Sequence, residues 1–500
     1  MKTYGKDTLT IKDIIDTAEK PAFLTLSPSV REQILKSENA AKTIASASKV
    51  VYGINTGFGP LCDTKISKAE TEKLQHNLLV SHAVGVGDPI EKDLSKIMMI
   101  AKIHALSKGF SGISLALIER LILMLGKDII PVVPSQGSVG ASGDLAPLSH
   151  LVLPLIGLGK VWENGKVTDA APVFEKHKIP PLKLGPKEGL GLINGTQFIL
   201  AHAIKGIWRW SYLLDLADLI AAMSLEAYQG SVSPFRKELH DIRPYEGSIK
   251  VAQRMRKFLE NSENLKAHEN CDRVQDPYSI RCVPQVHGAS RNAFYHLLQL
   301  TETELNSVTD NPIVLNDREA VSGGNFHGQP LALPLDYASL AVSELGNISD
   351  RRSYLLLEGK YGLPRLLTQN SGLDSGFMIP QYTSAALVSE NKSLCFPASA
   401  DSIPTSLGQE DHVSMGSISG RKFNRILDNL ENILAIELML ATQGLEFRRP
   451  KKCSKIIEKN REILRSKVPK LSQDRLIGND IHTISEMIRN RAFDVSPSLQ

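Results

Sequence analysis

The sequence predicts a mainly α protein, with a loop-rich N-terminal part followed by a bundle of long helices. Three observations carry this. Apolar residues recur at intervals of three and four over 208–228 and 426–445, segments long enough for bundle helices. Strand signals are few. Gly, Pro, Ser and Asn gather in the connections between the periodic stretches.

In chain order, periodicity predicts helices over 30–49, 69–83, 92–107, 113–125, 208–228, 289–306, 333–357, 379–392, 426–445 and 456–467. The clearest hairpin is 159–167, where Asn164-Gly165 suits a tight turn. Connections fall at 52–60, 131–144, 179–196, 274–285, 322–330 and 399–416, and loops held by rigid helices are where reactive groups tend to sit. Loop-rich sequence gives way to long helices near 189–195, so two domains are expected, 1–193 and 194–500.

Composition narrows the function. The 500 residues hold 58 Lys+Arg against 54 Asp+Glu, a surplus of +4 that is too weak for a polyanion partner, so no nucleic acid is expected. With 42% hydrophobic and 22% charged residues the chain can bury a sizeable core. The polar start, Met1-Lys2-Thr3-Tyr4-Gly5-Lys6-Asp7, lacks a signal peptide's apolar run, and the best apolar stretch, 151–159, is short and contains Pro154. No membrane partner and a cytoplasmic location are expected. Cys62, Cys271, Cys282, Cys395 and Cys453 are spread without a CxxC pair and read as reduced thiols. The common phosphate-loop, dinucleotide, zinc-protease and nucleophile-elbow motifs are missing, and the histidines form no cluster with metal-ligand spacing, so no metal is expected.

The segment that carries chemistry is Gly137-Ser138-Val139-Gly140-Ala141-Ser142-Gly143-Asp144-Leu145. By composition alone it is a flexible loop with Asp144 as a helix N-cap. Its residue types also permit a specific reaction. The Gly143 amide nitrogen attacks the Ala141 carbonyl to close a five-membered ring, and loss of water from Ser142 leaves an exocyclic methylene. Gly143 has no Cβ to block the approach, Ala141 is small, and Ser142 supplies a hydroxyl that can leave.

Ala141-Ser142-Gly143 within GSVGASGDLAPLSH resembles the cofactor segment of the aromatic amino acid ammonia-lyases and aminomutases that depend on 4-methylidene-imidazol-5-one (MIO). The likeness runs in family order through YGINTGFG from Tyr52, NGTQ from Asn194, QDPYSIR from Gln275, GGNFHG from Gly323 and QEDH from Gln409. Within the family it is strongest to members that act on histidine and release ammonia to give trans-urocanate. Ser81-His82 matches them where relatives acting on tyrosine or phenylalanine carry His-Leu or Phe-Leu, and Glu410 is acidic where phenylalanine enzymes carry Gln. A carboxylate and a histidine suit an imidazole, which offers N–H donors and a basic nitrogen.

The resemblance implies the following roles. Ala141, Ser142 and Gly143 form the MIO without an external cofactor, and the substrate amine adds to its methylene. Tyr278 takes the β-proton, and Arg281 pairs with the substrate carboxylate. Tyr52, Asn194 and Gln275 hydrogen-bond around the ring and carboxylate, Phe326 packs near the cofactor, and His82 and Glu410 grip the imidazole, with Tyr52 and Glu410 counted in the catalytic set. The implied fold is a smaller N-terminal lobe carrying the MIO and a long-helix bundle that assembles as a homotetramer with active sites shared between subunits. Read singly, Tyr278 to Arg281 is a turn with a structural arginine, Tyr52 a loop anchor, His82 a core histidine and Glu410 a solvated charge.

The sequence departs from the histidine-acting pattern at Pro60-Leu61-Cys62, at His287 where Met is expected, at Phe396 in place of His, and at Gly408 in place of Asn. An aminomutase of the same cofactor class, another aromatic amino acid as substrate, and a helical assembly protein without activity remain the alternatives.

Overall fold

The computed structural model describes residues 2–47, 51–57, 66, 70–267 and 273–496. The chain is predominantly helical, as expected, and each helix read from periodicity is present. The longest are Gln197–Tyr228, Gly416–Glu446, Gln329–Leu357 and Val283–Leu305. Helices Ile11–Glu19, Glu246–Phe258 and Ile477–Arg489, which were not expected, are short and one-sided, burying only a stripe of residues.

Contacts divide the chain into two units. The first comprises Met1–Lys205, Leu297–Asp336 and Pro397–Arg421, and the second Gly206–His296, Tyr337–Phe396 and Lys422–Gln500. These units interleave along the sequence, a different kind of division from the single cut after residue 193.

The first unit holds the short strands. Lys160–Glu163 pairs antiparallel with Lys166–Asp169, and Asn164 and Gly165 turn between them at φ 49 and 75, the left-handed pair that an Asn-Gly hairpin requires. Three helices, Thr71–His82, Leu145–Val152 and Glu188–Ile193, pack against one another. Gln75, fully buried, accepts the backbone N–H of Gly189 at 2.8 Å through its side-chain oxygen, tying the first of these helices to the third.

The second unit is a helical core. Trp210 is buried edge-on against Phe294 at 5.4 Å and Phe423 at 5.8 Å. Leu213, Leu216, Ile220 and Met223, spaced at three and four, are all buried, and truncating one such side chain to Ala costs about 2–5 kcal/mol. Among the described residues, buried charged groups here have partners. Arg352 grips Glu437 through Nε and Nη2, and Arg254 and Arg291 converge on Asp218.

Candidate active site

The 137–144 loop owes its shape to two consecutive left-handed residues, Ser142 at φ 50 and Gly143 at φ 78. A Cβ on Gly143 would lie 2.0 Å from the backbone oxygen of Gly195, so only glycine passes there. Two backbone hydrogen bonds hold the crossing. Gly195 N–H donates to the Ser142 carbonyl at 3.3 Å, and Asp144 N–H donates to the Gly195 carbonyl at 2.7 Å. The tight turn and the bare Gly143 fit the ring closure expected of Ala141-Ser142-Gly143.

Asp144 makes no side-chain cap for Leu145–Val152, the helix it precedes. Its buried carboxylate accepts the N–H groups of Phe198 and Ile199, each at 3.0 Å, and the Ser138 hydroxyl at 3.0 Å, so it caps the start of Gln197–Tyr228 instead. Burial pushes this carboxyl up to about 7, against the pull of those hydrogen bonds.

Ala141 is buried with Val413 and Met415, and Met415 N–H donates to the Val139 carbonyl at 2.9 Å. This lacing brings the 405–410 turn to the loop. Thr405 and Glu410 bridge across residues 406–408, whose φ values of 51, 56 and 86 close the turn. The Glu410 Oε2 accepts the hydroxyls of Ser406 at 2.8 Å and Thr405 at 3.1 Å, while Oε1 accepts the Ser142 hydroxyl at 2.9 Å.

His82 ends its helix, and its Nδ1 lies 2.8 Å from the Leu78 carbonyl. A carbonyl only accepts, so Nδ1 carries the proton and Nε2 is left with the lone pair. Burial lowers the imidazole below its ordinary value, partly offset by that hydrogen bond and by the charge of Glu410.

Five predicted residues, Tyr52, His82, Ser142, Asn194 and Glu410, line one cavity of about 320 Å³, enough for a single small amino acid. The Asn194 side-chain oxygen is buried there without a hydrogen-bond partner among the described residues. Asn77 and Ser406 also line this cavity and were missed from sequence. Asn77 could have been found, since it lies four residues before Ser81, one turn away on the same face of a helix that periodicity predicts; Ser406 gives no such signal.

Phe326, Gln275, Tyr278 and Arg281 are not among the described residues that line it. Phe326, also in the first unit, is half-buried on the turn before Gln329–Leu357 and does not line the cavity. Gln275, Tyr278 and Arg281 belong to the second unit. Tyr278 is 71% exposed at the start of the one-turn helix Tyr278–Arg281, with the Arg281 guanidinium over its ring at 4.6 Å, and Gln275 is exposed. Among the departures, His287 is buried, and its Nδ1 lies 2.8 Å from Asp218. Among the described residues Cys282, Cys395 and Cys453 form no disulfide, while Cys62 and Cys271 lie outside the described residues.

A long-helix fold and a small polar pocket built on an Ala-Ser-Gly loop define an enzyme of the helical lyase class. The aromatic amino acid lyase family model matches residues 9–466. A histidine ammonia-lyase of Natranaerobius thermophilus is 44% identical over 485 residues, 96% of each chain. Among solved structures, histidine ammonia-lyase from Trypanosoma cruzi superposes with a TM-score of 0.91 at 40% identity, over 98% of this chain and 94% of that one. Tyrosine aminomutase from Streptomyces globisporus gives 0.94 at 34% identity, over 100% and 99%. The chain belongs to the aromatic amino acid lyase family.

Proposed function

We propose that this protein eliminates ammonia from L-histidine to give trans-urocanate, with an MIO formed from Ala141, Ser142 and Gly143. The observation that carries the reading is the hydrogen bond from Ser142 to Glu410 in a cavity that His82 also lines. Once formed, the MIO would supply an electrophilic methylene able to make the substrate amine a leaving group.

The chain's own residues do the rest. Glu410, anchored by Thr405 and Ser406, accepts the N–H of the substrate imidazole, and His82, which lines the same cavity, flanks the ring. Asn194 offers its unpaired side-chain oxygen to the substrate, and Tyr52 contributes its hydroxyl. Tyr278 takes the β-proton and Arg281 holds the carboxylate. Tyr278 stands exposed, and the family resemblance assigns these two, with Gln275, to a neighbouring subunit's Ser142 in a homotetramer. Exposed Tyr337, Leu340 and Tyr354 on one helix, with Ile379 and Tyr382 on another, are apolar surface that such assembly covers. Phe326 packs near the cofactor in the assembled enzyme. No helix among the described residues is long and apolar enough to cross a membrane, and the location we propose is cytoplasmic.

The test is product analysis. Purified protein given L-histidine, L-tyrosine and L-phenylalanine in turn is expected to form trans-urocanate and ammonia from histidine at much the highest kcat/KM. A β-amino acid as main product would make it an aminomutase, and faster turnover of tyrosine or phenylalanine would overturn the substrate assignment.

A further inference from the structure

The Lys92–Leu106 helix carries a buried lysine that the pocket chemistry leaves unused. Lys102 is 1% exposed, and among the described residues no carboxylate lies within ion-pair distance of its ammonium. The nearby buried Asp310 is already held by Lys187 at 2.7 Å. What Lys102 does have is the backbone carbonyl of Asn194, to which Nζ donates at 2.7 Å. Burying an ammonium with one carbonyl as its partner costs free energy, and a methionine would fill similar space without that cost.

The geometry gives the charge a use. The carbonyl of Asn194 and the N–H of Gly195 are two ends of one peptide unit, and that N–H donates to the Ser142 carbonyl at 3.3 Å. A cation on the oxygen of a peptide polarises it and strengthens the donor at its other end. Lys102 is therefore two hydrogen bonds away from the oxygen of the residue that becomes the ring carbonyl.

We propose that Lys102 is a positioning residue for cofactor formation, acting through the Asn194–Gly195 peptide to stabilise negative charge on the Ser142 carbonyl oxygen. The inference rests on the MIO reading above. Charge reaches that oxygen twice. It does so first when the Gly143 N–H gives up its proton and the nitrogen bonds to the Ala141 carbonyl carbon. That carbon's oxygen then leaves as water with the Ser142 N–H proton, forming a C=N bond. Charge returns when the Cα–H of Ser142 ionises and its hydroxyl leaves, forming the exocyclic C=C bond and a second water. No oxidant or reductant is needed. Aligned donors at such an oxygen are worth about 10²–10³ in rate.

The test follows the loss of two water masses by intact mass spectrometry in chain sampled during cell-free synthesis, independently of turnover. Lys102→Met is expected to slow that loss about a hundredfold, and Lys102→Arg, which keeps the charge, to recover most of it. Lys102→Gln keeps a donor for the Asn194 carbonyl but no charge, and is expected to be slow; it also carries the test if Lys102→Met does not fold. A pH profile separates charge from packing. Burial lowers Lys102 to about 7, with Asp310 and Asp144 opposing and Lys187 assisting. Wild type is thus expected to lose rate relative to Lys102→Arg as pH rises from about 6 to about 9. Equal rates in wild type and Lys102→Gln, with a constant ratio to Lys102→Arg across pH, would overturn the role of Lys102 alone. Absence of the two-water loss from mature wild type would overturn the MIO reading and this inference together.

Discussion

The Ser142 hydroxyl and the Glu410 carboxylate meet at 2.9 Å across 268 residues of sequence. This contact places the only side chain of the Ala-Ser-Gly segment that can lose a hydroxyl beside an acceptor, in a cavity shared with His82 and Asn194. Ser142→Ala removes the group from which a methylene can form, and leaves the backbone crossing at Gly195 in place. It is expected to keep the fold and assembly state and to lower histidine turnover by roughly a thousandfold or more. Light scattering with steady-state kinetics checks this, and turnover near wild type would remove Ser142 from the mechanism.

Gly143→Ala tests the loop itself. The added Cβ would meet the Gly195 oxygen at 2.0 Å on a residue with φ 78, so backbone must move on one side or the other. The variant is expected to fold yet retain both water masses by intact mass, because the turn that presents the Gly143 nitrogen to the Ala141 carbonyl is lost. Normal water loss would mean the tight crossing is not needed for ring closure.

The pocket's preference for imidazole rests on His82 and Glu410. Glu410→Gln combined with His82→Leu leaves an imidazole with unmet donors and acceptors, a penalty of about 1–3 kcal/mol for each buried group. The ratio of histidine to phenylalanine kcat/KM is expected to fall by about tenfold to a thousandfold, with water loss by mass unchanged. A constant ratio would assign specificity to other residues.

The helices and the Asn-Gly hairpin were legible in the sequence because each is set by local periodicity or turn chemistry, as at 208–228 and Asn164-Gly165. The set Tyr52, His82, Ser142, Asn194 and Glu410 was legible through family motifs, and one cavity holds all five. What could not be read was long-range. Asp144, expected to cap the helix it begins, caps Gln197–Tyr228, through donors 54 and 55 residues away. Nothing near Lys102 in sequence signals that its ammonium ends on the Asn194 carbonyl, 92 residues on. Nor does local sequence show that Gln275, Tyr278 and Arg281 fall in a different unit from Ser142.

Acid sensitivity of the first unit follows from His104. Its Nδ1 accepts the Gly5 N–H at 3.0 Å and its Nε2 lies 3.3 Å from the Asn306 side-chain oxygen, so the buried ring is neutral, with the proton on Nε2. Burial, helped by Lys108, lowers it from 6.5 to about 4. Between those values the unfolded chain binds a proton that the folded chain does not. Stability therefore falls as pH drops from about 6.5 to about 4, by about 3 kcal/mol from this group. His104→Gln is expected to be less stable at pH 7 and to lose its disadvantage toward pH 4. Urea midpoints for both proteins across this range check it, and parallel curves would contradict it.

The placement of Tyr278 leads to the most direct test of a shared site. Among the described residues, those lining the Ser142 cavity belong to the first unit, whereas Tyr278 stands exposed on the second unit with Arg281 stacked on it. Deleting the phenol oxygen in Tyr278→Phe is expected to lower kcat by orders of magnitude while KM changes modestly, since a base acts mainly in the transition state. Tyr278→Phe and Ser142→Ala, each inactive alone, then differ in which half of a site they spoil. When subunits mix at random, a site that takes Ser142 from one chain and Tyr278 from another is intact about a quarter of the time. Co-expressed variants are thus expected to regain about a quarter of wild-type activity per site, and the same proteins purified separately and mixed without exchange to regain none. If co-expression restores nothing while mass analysis shows mixed tetramers, both groups act from one chain.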